Sequence, residues 1–312
     1  MNQSNSPHQP LFRFLQMSDL HVTNDSVRAS FPGAVDRARW LISEIAAGSL
    51  SDVELVLCVG DSVQAGSVAE TREDLTLFTK MTKALDQPVL AVPGNHETQK
   101  REGDPAYADV FTQAFGVPGT NYTHRHRDLL FVMLDNSGTT ECNAETYSQR
   151  ERWLKKTLED HRHEPKIVCC HVPLVPMRDP ETLAQTMKIE SWMTREPEIL
   201  TLIEEHAESI LAVFSGHLHL TGLVCRNSVF HITVSGTASY PSDYALYSVF
   251  EDRIEMEAKQ LPSELLNHET DLHAKPRRDF TAVDDTHPTH AEYVMGTYDE
   301  RRFAIPTKRP TA

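Results

Sequence analysis

Short apolar runs recur along the chain, and five of them end in side chains able to ligate a metal. Leu11 to Met17 leads to Asp19 and His21, and Val53 to Val59 leads to Gly60-Asp61. Pro88 to Val92 leads to Gly94-Asn95-His96-Glu97, Ile167 to Cys170 leads to His171, and Ile210 to Phe214 leads to Gly216-His217-Leu218-His219. Runs of this length, rich in Val, Leu and Ile and bounded by Gly, Pro and Asp, predict buried strands. Each polar residue then sits at the carboxyl edge of a strand, and the strand ends of a sheet converge on a common rim.

Between these runs the apolar spacing becomes helical. In Val35 to Ala47, residues Ala38, Leu41, Ile42 and Ile45 share a face, and similar spacing recurs in Ala69 to Leu85, Pro105 to Phe115, Gln149 to His161 and Pro197 to His206. Alternation of strand and helix predicts an α/β fold. After His219 the order changes to successive strands, Leu223 to Arg226, Ser228 to Val234, Tyr244 to Phe250 and Arg253 to Ala258, and Asn121 to His126 with Leu129 to Asp135 reads as a further hairpin. Two sheets packed face to face, with helices outside, accommodate both halves. The expected folded domain covers residues 11–260. From 261 to 312, Pro, charged residues and His replace the apolar pattern, which predicts an extended arm or tail. Phe280, Tyr293, Tyr298 and Phe303 would pin that arm to the body or to a second subunit in a homodimer, and His268, His273, His287 and His290 are expected to be solvated.

At 312 residues, 39% hydrophobic and 24% charged, the chain has the composition of an ordinary soluble globular protein. Its net charge of -15 opposes binding to a nucleic acid duplex, which requires clustered Lys and Arg. A small phosphate substrate would need local attraction, and bound cations supply it. The five cysteines are odd in number and three fall within predicted strands, the pattern of buried free thiols in a reducing compartment. The polar first ten residues and the lack of any run near 20 apolar residues predict a cytoplasmic protein with no membrane role.

The chemistry lies in the run ends. Asp19-x-His21 and His217-x-His219 would each present both side chains on one side of an extended segment. Asp61 can bridge two cations through its two oxygens, and Asn95 offers a neutral amide oxygen. Seven oxygen and imidazole donors suit Mn, Fe or Zn, and no cysteine stands among them.

Taken in order, Asp19-x-His21, Gly60-Asp61, Gly94-Asn95-His96-Glu97, His171-x-Pro173 and Gly216-His217-x-His219 resemble the motifs of the calcineurin-like metallophosphoesterase superfamily. The resemblance runs from about residue 12 to 250. It implies a four-layer α/β/β/α sandwich with two mixed β-sheets and a binuclear metal site. On that pattern Asp19, His21, Asp61 and His219 hold one metal, and Asp61, Asn95, His171 and His217 hold the second. Two cations so placed clamp an in-line displacement at phosphorus and lower the pKa of a water between them. His96 faces the substrate and protonates the leaving alkoxide, as imidazole can near neutral pH. Glu97 and Asp135-Asn136 are expected to support the ligands or to form ordinary turns.

Within the superfamily, Gln64 occupies the position where purple acid phosphatases carry a tyrosine ligand, and the stretches Gln64-Ala65-Gly66 and Pro88 to Pro93 lack the two arginines of the protein Ser/Thr phosphatases. The remaining resemblance is to the class III cyclic-nucleotide phosphodiesterase group, including a helix with Gln149, Trp153 and Leu154. The implied substrate is a cyclic nucleotide or other small phosphodiester. Phosphomonoesters, nucleotide pyrophosphates and a non-catalytic metal-binding scaffold are the alternatives. Substrate choice falls to the loops Val22 to Gly33, Gln99 to Asp104 and Met177 to Met193, whose cations Arg28, Lys100, Arg178 and Lys188 are either substrate contacts or plain surface charge.

Overall fold

The computed structural model describes residues 9–98, 105–137, 144–187, 197–266 and 283–307. Parallel strands β1 (Phe12–Met17), β2 (Leu55–Val59) and β3 (Val89–Val92) are joined through α1 (Ala34–Ala47) and α2 (Val68–Thr82). The one-turn helix α3 (Asn95–Thr98) and α4 (Pro105–Phe115) lead to the hairpin β4 (Tyr122–His126) and β5 (Leu129–Met133). Helix α5 (Ala144–Asp160), β6 (Lys166–Cys169), α6 (Pro180–Met187), α7 (Pro197–Glu205) and β7 (Ile210–Ser215) continue the α/β pattern. Four strands then follow directly: β8 (Gly222–Arg226), β9 (Val229–Thr233), β10 (Asp243–Val249) and β11 (Arg253–Gln260).

The strands form two six-stranded mixed sheets, ordered β4-β5-β6-β7-β9-β8 in one and, in the other, a strand near the C-terminus, β12 (Arg302–Pro306), followed by β11-β10-β1-β2-β3. Two-residue alternation sorts each strand between the layers. Phe12 and Phe14 of β1, with Leu55, Leu57 and Val59 of β2, enter the core between the sheets, where they meet Phe131, Ile167 and Phe214. Leu15, Met17, Val56 and Cys58 face the other way, onto α1, α2 and α4. On the second sheet Val168, Cys170 and Val213 pack under α5 and α7. The layers are therefore α/β/β/α. Beneath the rim a buried polar link ties the sheets together: Gln16 donates to the Ser215 carbonyl (3.2 Å) and accepts from the Tyr247 hydroxyl (2.7 Å).

The C-terminal part departs from the expected arm or tail. Helices α8 (His290–Met295) and α9 (Tyr298–Arg301) lie against the body, and β12 pairs antiparallel with β11, so a boundary at residue 260 cuts through a sheet. The apolar content is low but placed: Tyr293, Val294 and Ile305 are fully buried, whereas Tyr298 stays exposed. His287, expected in solvent, is buried between Asp284 and Glu300 at 2.8 Å from each. Cys58, Cys169 and Cys170 are buried free thiols, while Cys225 is exposed on β8. Lys100, Cys142, Lys188, His268, His273 and Phe280 lie outside the described residues. No helix among the described residues is long and apolar enough to cross a membrane.

Candidate metal centre

Five loops at the carboxyl ends of β1, β2, β3, β6 and β7 meet at one rim, stitched by backbone hydrogen bonds. Asp19 N–H donates to the Gly60 carbonyl (3.1 Å), Leu20 and His21 N–H to that of Asp61 (2.8 and 3.0 Å), and Gly216 N–H to that of His171 (3.0 Å). The Asp19 carboxylate accepts the His217 N–H at 3.1 Å, and Asp61 Oδ1 accepts the His96 N–H at 2.8 Å.

The extended geometry expected for Asp19-x-His21 and His217-x-His219 is not what presents these side chains. Asp19, His21, Asp61, His217 and His219 all have positive φ, between 46° and 69°. A left-handed conformation at a non-glycine residue costs on the order of 1–3 kcal/mol. Five such residues amount to a sizeable share of the roughly 5–15 kcal/mol by which a domain is stable. The backbone holds them because the strands before each loop are locked in the core and the loops bond to one another. Gly60, at φ 81°, stands within this crowding, since a Cβ there would overlap the His171 imidazole. Gly60→Ala is expected to lower stability by at least about 2 kcal/mol, read as a reduced denaturation midpoint in urea.

Three sets of donor atoms converge, each set lying within 4.8 Å: Asp19, His21 and His219; His21, Asp61 and His96; and Asp61, His171 and His217. Asn95 joins the third, its Oδ1 lying 3.1 Å from His171 Nε2 and 2.8 Å from His217 Nδ1. Asp61 Oδ2 stands between the two halves, 3.8 Å from His21 Nε2 and 3.3 Å from His171 Nε2. His21 and His219 turn Nε2 toward each other at 3.2 Å, and His219 Nε2 is 3.4 Å from Asp19 Oδ1. All seven positions named from the sequence, and His96, are thus brought together.

Tautomers are fixed from outside. His171 Nδ1 donates to the Val59 carbonyl and His96 Nδ1 to that of Gln64, both at 2.9 Å, and His171 Nε2 is thereby turned toward Asp61 and Asn95. His219 Nδ1 shares a 2.6 Å hydrogen bond with the Ser239 hydroxyl. Charge is unevenly borne. Burial pushes Asp19 up to about 7, with His171 opposing and Asp61 reinforcing the rise. Burial also pushes His21 down to about 3, helped by His96. Burial would raise Asp61, but His171 and His96 hold it well below the carboxylate range. For His171 burial is outweighed by Asp61, and the ring rises to about 10. Carboxylates, imidazoles and an amide oxygen crowded this closely fit a pair of borderline cations.

Supporting residues are now placed. Glu97, 1% exposed, accepts the Gly94 and Val63 N–H groups (2.7 and 3.2 Å), joining the β2 and β3 loops. Burial, with Asp61 nearby, raises its carboxyl to about 7. Asn136 brackets Val172, donating to its carbonyl (2.7 Å) and accepting its N–H (3.0 Å), which secures the residue after His171. Ser239 and Phe31 were not legible in the sequence, because neither belongs to a motif. Phe31, half-buried, sets its ring 4.7 Å from that of His21 and 5.0 Å from that of His219. Arg28 and Arg178 are both engaged by carboxylates of the protein. Arg28 bonds Asp25 (3.0 Å) and Asp74 (2.9 Å), and Arg178 is buried against Glu300 (2.9 Å).

Comparison with known proteins follows the same lines. A family model for calcineurin-like phosphoesterases matches residues 12–220. A probable glycerophosphodiester phosphodiesterase of Arcobacter nitrofigilis is 24% identical over 192 residues, 58% of this chain and 62% of the relative's length. A dimetal phosphatase of Danio rerio has a TM-score of 0.59 at 16% identity, covering 81% of this chain and 97% of its own. GAP50, the anchor in the inner membrane complex of Plasmodium, has a TM-score of 0.55 at 14% identity, covering 89% and 99%. At these identities the structural likeness is one of fold.

Proposed function

The chain belongs to the calcineurin-like phosphoesterase family, and from that premise we propose that it is a metal-dependent hydrolase of small phosphodiesters, cyclic nucleotides among them. The observation that carries this reading is the convergence of two carboxylates, four imidazoles and an amide oxygen on one buried focus at the rim of two sheets. Asp19, His21, Asp61 and His219 are assigned to one cation and Asp61, Asn95, His171 and His217 to the other, with Mn, Fe or Zn all suited to the donor set. When bound, the pair supplies positive charge to the phosphate oxygens and lowers the pKa of a water near phosphorus. Asp61, between both donor sets, keeps the two sites in register. His96, half-buried and anchored at Nδ1 by the Gln64 carbonyl, is suited to give a proton from its other ring nitrogen to the departing oxygen.

One feature favours a diester bearing a base or aryl group. Phe31 offers a flat apolar surface beside His21 and His219 on which a base or aryl group can stack. The test is a panel of 3′,5′-cyclic AMP, glycerophosphodiesters, bis(p-nitrophenyl) phosphate and p-nitrophenyl phosphate with Mn²⁺ present and after chelation. Diester turnover exceeding monoester turnover, and lost on chelation, is expected. Preference for the monoester overturns the diester assignment, and no turnover by protein with two metals verified bound points to a scaffold.

A further inference from the structure

The strip from His217 to Thr221 has two sides. His217 and His219 face the donor cluster, whereas Leu218 and Leu220, each 1% exposed, pack with Val175, Met177, Tyr293 and Val294. Tyr293 and Val294 belong to α8, so the C-terminal segment lies on the back of the ligand-bearing strip.

Polar contacts converge on the same place. Thr221, two residues beyond His219, has each of its polar groups held: its N–H donates to the Val294 carbonyl (2.9 Å), its carbonyl accepts from Arg178 (2.7 Å), and its hydroxyl donates to Asp243 (2.9 Å). Asp243 is in turn gripped by both terminal nitrogens of Arg301, at 2.6 and 3.0 Å, the paired geometry that makes arginine–carboxylate contacts strong. Arg178 donates to the Tyr293 carbonyl and to Glu300, and Glu300 bonds His287 and the Thr297 N–H. The opposite flank is braced as well. The Tyr240 hydroxyl donates to Met295 Sδ (3.1 Å), and Tyr240 follows Ser239, whose hydroxyl meets His219 Nδ1.

We propose that residues 283–307 form a positioning clamp for the His219 strip and thereby set the affinity of the cation site formed by Asp19, His21, Asp61 and His219. The inference rests on the ligand assignment proposed above. Its selectivity follows from which groups the segment reaches. His171 is held by the Val59 carbonyl, the following Val172 by Asn136, and Asn95 lies in the Glu97-secured loop; among the described residues none of these holders bonds the segment, and the His217 N–H is held by Asp19. Loosening the clamp therefore moves His219 more than the second donor set, of which His217 alone lies on the strip and is anchored at its N–H by Asp19. The residues concerned are positioning residues and touch no reacting atom.

Mn²⁺ titration of the metal-free full-length protein, followed by electron paramagnetic resonance of free Mn²⁺ and by calorimetry, tests this. Wild type is expected to take up two Mn²⁺ per chain. Arg301→Gln, which breaks the paired contact to Asp243, and Thr221→Val, which removes the hydroxyl while keeping the shape, are each expected to weaken one site about 10-fold or more and to affect the other less. Thr221→Ser, which keeps the hydroxyl, is expected to restore the wild-type affinity. Circular dichroism of the metal-free variants verifies folding, and Thr221→Val carries the test if Arg301→Gln does not fold. Unchanged affinities, or equal weakening of both sites in folded variants, overturn the clamp while leaving the ligand assignment intact. Wild type that binds no Mn²⁺ overturns the assignment itself and the clamp with it.

Discussion

Replacing Asp61 with alanine is expected to reduce bound metal from two per chain to one or none and to lower phosphoester turnover by at least about 1000-fold, beyond the loss typical of removing one electrostatic contact to the transition state. The reason is position. Asp61 Oδ2 lies between His21 and His171, which belong to different donor sets, while Oδ1 accepts the His96 N–H. Its loss removes a donor from both sets and leaves the buried His171 imidazole without the carboxylate that offsets its charge. Asp61→Asn keeps the shape and an oxygen acceptor for the His96 N–H, so it separates the two effects: the loop keeps its bond, but the bridging charge is gone. Metal analysis of the purified variants beside a diesterase assay decides the matter. A full complement of two metals in Asp61→Ala removes the bridging assignment.

Replacing His96 with alanine is expected to keep both metals while lowering turnover by about 100- to 10,000-fold, the range for loss of a positioned general acid. His96 is held at Nδ1 by the Gln64 carbonyl and packs edge-on against His21 at 4.4 Å between ring centres, but it is half-buried where His21 and His171 are fully enclosed. That exposure suits a group that meets substrate. An acid is needed in proportion to the basicity of the leaving group, so the variant should be impaired far more on an alkyl diester than on a p-nitrophenyl diester. Equal losses on both, with metals retained, would remove the proton-donor role. Loss of one metal would make His96 a ligand, in line with its place in the donor set of His21 and Asp61.

The ligand positions could be named in advance because their chemistry is local to the sequence. Asp, His and Asn side chains at the ends of Val- and Leu-rich runs are conspicuous, and parallel strands leave their carboxyl ends on one edge. Glu97 and Asn136, adjacent to that edge, were legible as candidates, with support of the ligands and an ordinary turn both open, and their bonds to Gly94, Val63 and Val172 decide for support. Ser239 and Phe31 were not. They come from the β9–β10 and β1–α1 connections, and nothing in Thr237-Ala238-Ser239-Tyr240 distinguishes a hydroxyl that meets His219 from an ordinary loop serine. Arg28 and Arg178 show the converse: their place in substrate loops suggested ligand contact or solvent, and only their partners Asp74 and Glu300 decide that they brace the protein.

By itself the sequence determined the layered α/β plan and the identity of the donor groups, since hydrophobic periodicity assigns faces and residue type assigns chemistry. Tertiary structure decided how the donors are aimed and what lies behind them. The left-handed backbone at Asp19, His21, Asp61, His217 and His219 is unfavourable for each residue alone, and is stable only where neighbouring loops bond it in place. The return of residues 283–307 to the body likewise depends on pairing β12 with β11 and burying Tyr293 against Leu218 and Leu220. Contacts between residues so distant along the chain leave no periodicity in either segment, and their energy exists only once the two surfaces have met.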